Sequence, residues 1–146
     1  MLDPKRSPAR IVLVEDNPGD VLLLRLALDQ HEPNYILEIL RDGAEAIRFI
    51  RDQWSTTEPE PCVIVLDWHL PKHDGKSVLQ SIRTAPGMSH VRVIALTGML
   101  IPKEEAEILR LGVRLCRMKP TDLDGWHRLA GEILEICREP TLSAGS

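Results

Sequence analysis

The sequence predicts an α/β fold: a doubly wound parallel β-sheet of five strands with helices on both faces. Short apolar runs alternate five times with longer segments whose apolar residues recur at helical spacing. The runs are almost continuously apolar, which is typical of strands buried on both faces of a sheet. Five strand–helix units in about 120 residues are too few for a closed barrel of eight, so we expect an open sheet.

The first two strands are marked by apolar runs that end at turn-forming residues. Ile11–Val14 is followed by the turn Glu15–Pro18, and the Leu-rich segment Val21–Leu28 then predicts the first helix. Tyr35–Leu40 predicts the second strand, which an Asp-Gly pair closes. The chain therefore begins with a strand, a helix and a second strand.

Three more apolar runs predict the remaining strands, namely Cys62–Leu66, Val91–Leu96 and Val113–Met118. The helices after the second to fifth strands are predicted from apolar residues at helical spacing: Ala44, Ile47 and Ile50; Val78, Leu79 and Ile82; Ala106, Leu109 and Leu111; and Trp126, Leu129, Ala130, Ile133, Leu134 and Cys137. By analogy with other open sheets of this size, we expect the flavodoxin-like strand order.

Length and composition indicate one folded domain. The chain has 146 residues, of which 43% are hydrophobic and 27% charged, so it can form a core, and disorder is excluded for its body. We expect the domain to span residues 9–138. Both ends are short, polar and broken by proline, so we expect flexible tails at residues 1–8 and 139–146.

Composition also excludes several classes of function. The formal net charge is −4, lysine and arginine are scattered, and aromatic residues are rare, so we expect no nucleic-acid partner. Because the sequence has no apolar signal segment and no apolar run near the ~20 residues that span a bilayer, we expect a cytoplasmic protein with no membrane partner. Three cysteines without C-x-x-C spacing predict reduced thiols rather than a disulfide or a zinc site.

Charged and polar side chains follow four of the five predicted strands. Glu15 and Asp16 follow the first strand and Asp67 the third. Thr97 and Lys119 follow the fourth and fifth. Because the carboxyl ends of parallel strands meet at one edge, we expect these side chains to share a cleft. The alternative is that Glu15, Asp16 and Asn17 cap the first helix, that Thr97 belongs to a turn and that Lys119 is a surface residue. Asp67 is harder to dismiss because a charge that ends a buried strand needs a partner, and the alternative requires all five positions to coincide.

This set of side chains suits phosphoryl transfer at a metal site. Three carboxylates close together repel one another unless a cation lies among them, and all-oxygen ligation suits Mg²⁺. A carboxylate beside Mg²⁺ can attack a phosphoryl group, while an ammonium and a hydroxyl bind the phosphoryl oxygens. The sequence therefore predicts Mg²⁺-dependent formation of an aspartyl phosphate.

Four segments carry a resemblance to a known family: IVLVEDNPGD, VIVLDWHLPKHDG, VIALTG and RMKP. Together they resemble the receiver domain of two-component response regulators, of the chemotaxis-regulator type, from residue 10 to about residue 138. The DNPGDV segment is similar to single-domain receivers that work with phytochrome-type kinases. The resemblance implies a stand-alone signalling module that is phosphorylated by a sensor histidine kinase or a phosphotransfer protein. It also implies signalling by binding a downstream protein, with no enzymatic activity beyond self-catalysed phosphoryl transfer and autodephosphorylation.

The resemblance implies a role for each site residue. Asp67 is the phospho-acceptor, Thr97 and Lys119 contact the phosphoryl oxygens, and Lys119–Pro120 is a cis bond. The implied Mg²⁺ ligands are Glu15, Asp16, Asp67 and the backbone carbonyl of His69. The face formed by the fourth helix, fifth strand and fifth helix, residues 102–137, is expected to bind the partner or a second copy of the chain.

Cys116 departs from the family pattern. Three residues before the lysine, the family usually carries Tyr or Phe, whose ring moves inward when the threonine is drawn to the phosphate. A cysteine is too small for that movement, so we expect the switch to run through Thr97 and the loop Gly98–Pro102.

Two alternatives come from other classes of protein. A dehalogenase-type hydrolase needs a second Asp where this chain has His69, and a flavodoxin needs a phosphate loop where Glu-Asp-Asn-Pro would repel phosphate. A receiver that no longer takes phosphate is a third alternative, which only the completeness of the residue set opposes.

Overall fold

The structure, a computed structural model, describes residues 8–140. Within this range five parallel strands form one sheet: β1 (Ala9–Val14), β2 (Tyr35–Leu40), β3 (Val63–Asp67), β4 (Val93–Thr97) and β5 (Leu115–Met118). Their order across the sheet is β2-β1-β3-β4-β5, which confirms the predicted flavodoxin-like order. Because β3 is the central strand, Asp67 at its end lies in the middle of the carboxyl edge, and β3 is buried along its whole length.

Four α-helices and a short 3₁₀ helix connect the strands in this part of the chain, and a fifth α-helix follows β5: α1 (Pro18–His31), α2 (Gly43–Asp52), the 3₁₀ helix (Trp54–Thr56), α3 (Gly75–Thr84), α4 (Pro102–Arg110) and α5 (Leu123–Arg138). The starts of four of them are capped by side chains that accept backbone N–H groups, namely Asn17, Asp42, Asp74 and Asp122. These residue types are strong helix caps, so the helix starts follow from local sequence.

The core lies on both faces of the sheet, as predicted. On one face, Ile11 and Val65 belong to a cluster with Leu28 of α1 and Ile133 of α5. On the other face, Val12 belongs to a cluster that includes buried residues of α2, α3 and α4. Burying one such side chain contributes about 2 kcal/mol, so the two helical layers together hold the sheet and align its strand ends.

The prediction that all three cysteines are reduced thiols is wrong. Cys62, which directly precedes β3, and Cys137, near the end of α5, form a disulfide, with their Cα atoms 5.1 Å apart. The two residues are separated by 75 positions, so their spacing carries no signal. Strand order and helix packing bring them within the distance that a disulfide requires. Cys116 is free and buried.

The two residues after α5, Glu139 and Pro140, are hydrogen-bonded to a residue that precedes β4. Arg92, which precedes β4, donates hydrogen bonds to the backbone carbonyls of Ile136, Glu139 and Pro140. The predicted flexible tails lie almost wholly outside the described residues, and the boundaries 9–138 stay a prediction. None of the described helices combines the length and the apolar composition needed to cross a membrane.

Candidate functional site

Three carboxylates from two neighbouring strands meet at the carboxyl edge of the sheet. Glu15 and Asp16 follow β1, Asp67 ends β3, and one oxygen atom from each lies within 4.8 Å of the others. The parallel pairing of β1 with β3 brings these distant positions together. Glu15 and Asp67 are only 2% and 4% exposed, whereas Asp16 is exposed. Buried like charges at this separation are compensated by a cation or by the uptake of a proton.

Lys119 brings a positive charge to this cluster. Its Nζ lies 2.9 Å from Glu15 Oε1, 2.9 Å from Asp20 Oδ2 and 3.2 Å from Asp67 Oδ2. Burial by itself lowers the pKa of Lys119. The hydrogen bonds to Glu15 and Asp20, together with the charges of Glu15 and Asp67, outweigh that effect and raise this pKa. Lys119 is therefore a cation at neutral pH.

One ammonium does not neutralise the cluster. Burial raises the pKa of Glu15 from its ordinary 4.5 to about 7, and Asp67 adds to this rise while Lys119 opposes it. The three carboxylates offer only hard oxygen donors, and their oxygens are close enough together to bind one ion. These residues fit Mg²⁺, which prefers such ligands and keeps several waters.

Thr97 lies at the same edge, but its hydroxyl has a different partner. Asp67 pairs with Leu96 across β3 and β4, and Thr97 is the next residue and fully buried. Its Oγ1 donates a hydrogen bond to the Met99 carbonyl at 3.1 Å. To contact a phosphoryl oxygen, the hydroxyl must give up this hydrogen bond.

His69 contacts Asp67 through its backbone. The His69 N–H donates to Asp67 Oδ1 at 3.1 Å and so fixes one carboxylate oxygen. Its ring is 64% exposed, with Nε2 lying 3.4 Å from Glu104 Oε1. The role of the His69 carbonyl as a metal ligand stays a prediction.

The prediction of a cis bond at Lys119–Pro120 is wrong. Among residues 8–140, the cis peptide bond lies at Glu58–Pro59. The N–H of Lys119 donates to the Thr97 carbonyl at 2.8 Å, which continues the pairing of β5 with β4 beyond the strand end. This pairing carries Lys119 to the site, so no tight cis turn is needed.

Asp20, in the first turn of α1, is a site residue that the sequence pattern does not predict. An acidic residue there is already explained by the helix dipole, so nothing local signals a contact with Lys119, which lies 99 positions away. The cap of α1 is Asn17, whose Oδ1 accepts the N–H groups of Gly19 and Asp20. Glu15 uses its two oxygens differently: Oε2 accepts the N–H of Asn17 at 3.2 Å, and Oε1 contacts Lys119.

Cys116 lies in the core rather than at the site. It pairs with Ala95 across β4 and β5 and is 2% exposed, within the same apolar cluster as Ile108 of α4. Burial raises the pKa of the Cys116 thiol, and the charges of Glu105 and Glu104 add to this effect. The thiol is therefore neutral, and the residue fills space between the sheet and α4.

Comparison with known proteins gives a consistent match. The model of the response regulator receiver domain family matches residues 11–129, which include every site residue described above. Response regulator Rcp1 of Synechocystis sp. is 38% identical over 98 residues, which are 66% of this chain and 67% of that protein. Protein-glutamate methylesterase/protein-glutamine glutaminase 5 of Myxococcus xanthus is 28% identical over 138 residues but is covered over only 36% of its length. Segments like this chain therefore also occur within longer enzymes.

Solved structures agree with the sequence matches. The Mn²⁺-bound form of response regulator Rcp1 superposes with a TM-score of 0.78 at 30% identity, covering 94% of this chain and all of that one. The phosphorylated cyanobacterial phytochrome response regulator RcpA gives a TM-score of 0.77 at 28% identity, covering 88% and 93% of the two chains. The similarity thus extends over the whole sheet and its carboxyl edge.

Proposed function

Because the chain belongs to the response regulator receiver family, we propose that Asp67 accepts a phosphoryl group in a Mg²⁺-dependent reaction. The observation that supports this role is how the Asp67 carboxylate is held. The backbone N–H of His69 donates to Oδ1 and the Lys119 ammonium contacts Oδ2, while Glu15 and Asp16 lie beside it. This is a nucleophile that is buried, oriented and next to a metal site.

The transfer proceeds by attack of an Asp67 oxygen on phosphorus. The bond between phosphorus and the donor breaks, and the leaving group keeps its electron pair. Lys119 then offers an N–H to the phosphoryl oxygens, and the Thr97 hydroxyl leaves the Met99 carbonyl to donate to another of them. When bound, Mg²⁺ supplies the positive charge that the surrounding carboxylates require.

We propose that the phosphodonor is a sensor histidine kinase or a phosphotransfer protein. The similarity to the cyanobacterial phytochrome response regulator RcpA supports a kinase of the phytochrome type. The acidic net charge and the scattered basic residues support a protein partner and no nucleic acid. Beyond self-catalysed phosphoryl transfer and loss, we assign the chain no enzymatic activity.

The face formed by α4, β5 and α5 is the proposed binding surface for a downstream protein or a second copy of the chain. The edge strand β5 presents Met118, which is half exposed, and Leu109 of α4 is also half exposed. Phosphorylation reaches this face through Thr97, because release of the Met99 carbonyl frees the loop that leads into α4. Light scattering with and without phosphorylation tests this: Thr97→Ala should blunt any change in mass, and Cys116→Ala should leave it intact.

We place the protein in the cytoplasm as a proposal. Histidine kinases draw their phosphoryl group from ATP, which is a cytoplasmic nucleotide. The disulfide between Cys62 and Cys137 opposes this location, because disulfides are rare in the cytosol. Counting free thiols in protein extracted under acid quench tests the location: a count of one, from Cys116, would show that the disulfide forms in the cell and would count against the cytoplasm.

The proposed reaction is tested by intact mass after incubation with acetyl phosphate and Mg²⁺. We expect the mass of one phosphoryl group to appear on the wild type, in a form stable to acid and labile to base. Asp67→Asn should abolish it. The matched control is Asp52→Asn, which removes the same charge from an exposed carboxylate whose partner is the neighbouring Arg51. Equal labelling of the Asp67→Asn protein would assign the acceptor to another residue, and no labelling of the wild type would support a degenerate receiver.

A further inference from the structure

We propose that Asp20 is a positioning residue that holds the Lys119 ammonium in place for phosphoryl transfer to Asp67. The inference rests on the proposed role of Asp67 as phospho-acceptor. Asp20 Oδ2 lies 2.9 Å from Lys119 Nζ, as close as Glu15 Oε1 and closer than Asp67 Oδ2 at 3.2 Å. The side chains of Asp20 and Lys119 are each 20% exposed, so this ion pair is largely shielded from water.

The three partners of Lys119 differ in what else they serve. The Lys119 ammonium donates hydrogen bonds to Asp20 and Asp67 and forms an ion pair with Glu15 at 2.9 Å. Glu15 and Asp67 also belong to the carboxylate cluster that fits Mg²⁺, whereas Asp20 does not. A metal ion bound by Glu15 and Asp67 would compete with Lys119 for their negative charge. Asp20 would then be the one partner of Lys119 that does not also bind the metal.

The same division matters when the phosphoryl group arrives. An Asp67 oxygen forms a bond to phosphorus, the bond to the donor breaks, and the leaving group keeps the electron pair. The N–H of Lys119 that donates to Asp67 Oδ2 can then donate to a phosphoryl oxygen instead. The hydrogen bond from Lys119 to Asp20 is retained. A lysine side chain has a long flexible stem, so holding its ammonium beforehand reduces the ordering that the transition state must otherwise impose.

Asp20 could instead act only through its charge, and this alternative predicts the opposite sign. A further carboxylate beside the acceptor repels an anionic phosphodonor, so its removal would speed the reaction whether or not Lys119 is present. Positioning through Lys119 predicts a slower reaction when Asp20 is neutralised, and no effect of that change once Lys119 is absent.

The test is a double-mutant cycle on the full chain, with the rate of phosphorylation by acetyl phosphate measured at saturating Mg²⁺. We expect Asp20→Asn to slow the wild type by about tenfold, and to change the Lys119→Ala protein by less than about twofold. The matched control is Asp29→Asn, which removes one charge from the same helix and should leave the rate unchanged. Asp29 contacts the Tyr35 hydroxyl, away from the site.

A second cycle, on thermal unfolding without phosphodonor, covers the case in which Lys119→Ala is too slow to follow. Asp20→Asn should lower the melting temperature of the wild type, but it should not lower that of the Lys119→Ala protein, where it removes one carboxylate from an uncompensated cluster. Equal shifts in both backgrounds, or a faster phosphorylation of the Asp20→Asn protein, would overturn the positioning role. Neither result bears on the role of Asp67 as phospho-acceptor. That role is tested separately by labelling the wild type and the Asp67→Asn protein.

Discussion

The two edges of the sheet differ in how their charged side chains are balanced by neighbouring groups. At the carboxyl edge, four carboxylates gather around one ammonium among the described residues: Glu15, Asp16, Asp20 and Asp67 around Lys119. At the amino edge, arginines meet both carboxylate and carbonyl acceptors: Arg114 Nη2 lies 3.1 Å from Glu139 Oε1, and Arg10 Nη1 lies 3.7 Å from Glu38 Oε1. Arg92 donates to backbone carbonyls at the end of α5, and Arg10 donates to those of Glu58 and Pro59.

The difference separates the part of the fold that stabilises it from the part that binds ligand. At the amino edge, the Cys62–Cys137 disulfide and the arginine hydrogen bonds tie β3, β4 and α5 together. The carboxyl edge keeps an excess of negative charge that its own residues do not neutralise, and such local conflict is typical of functional sites. Substitutions at the two edges should therefore have different consequences.

The largest expected effect is on stability, at the amino edge. Replacing Cys62 and Cys137 together by alanine opens a loop of 75 residues, and should lower the free energy of unfolding by about 4 kcal/mol in urea titrations. A thiol reductant should lower the free energy of unfolding of the wild type by the same amount and leave that of the double variant unchanged. The rate of phosphorylation should stay within about twofold, because Cys62 and Asp67 lie at opposite ends of β3. A reductant without effect on the wild type would contradict this.

At the carboxyl edge, Lys119→Ala removes the cation from two buried carboxylates. We expect the free energy of unfolding to fall by about 3 kcal/mol in metal-free buffer, since breaking a buried pair leaves charge uncompensated. Millimolar Mg²⁺ should recover part of this loss. Lys103→Ala, at an exposed position on α4, is the matched control and should stay within about 0.5 kcal/mol. Equal stability of the two variants would show that Lys119 does not compensate the cluster.

The raised pKa of Glu15 should appear in the pH dependence of stability. Its pKa is about 7 in the folded state against an ordinary 4.5, so between these values the native state binds more protons than the unfolded state. In metal-free buffer, stability should therefore fall as pH rises from 4.5 to 7, by less than about 1.4 kcal/mol per pH unit. Glu15→Gln should remove this slope in urea melts. A slope retained in that variant would assign it to another group.

The smallest effect expected is that of the metal on the wild type. Mg²⁺ at tenfold over its dissociation constant should add about 1.4 kcal/mol to the free energy of unfolding, and so raise the melting temperature by a few degrees. Asp16→Asn should weaken that response, and it should also stabilise the metal-free protein slightly by removing one repelling charge. Because Asp16 is exposed, the substitution should not disturb the core. A melting temperature that does not change in millimolar Mg²⁺ would show that these carboxylates do not bind the ion.

Much of the fold was predictable because its signals are local. Strand runs such as Val63–Leu66 are apolar because both faces are covered, and caps such as Asp122 mark helix starts within three residues. Parallel strands also place their carboxyl ends together whatever the details of packing. For that reason, the positions of Glu15 and Asp67 at one edge could be inferred without a structure.

What the sequence determined by itself is therefore the layout: five strand–helix units and one edge that carries carboxylates, a hydroxyl and an ammonium. The tertiary structure decided which of those groups touch. It paired Lys119 with Asp20, joined Cys62 to Cys137 and turned the Thr97 hydroxyl toward the Met99 carbonyl. Hydrophobic periodicity depends on neighbours a few residues away, whereas these contacts depend on strand order and helix packing, which bring together side chains up to 99 positions apart.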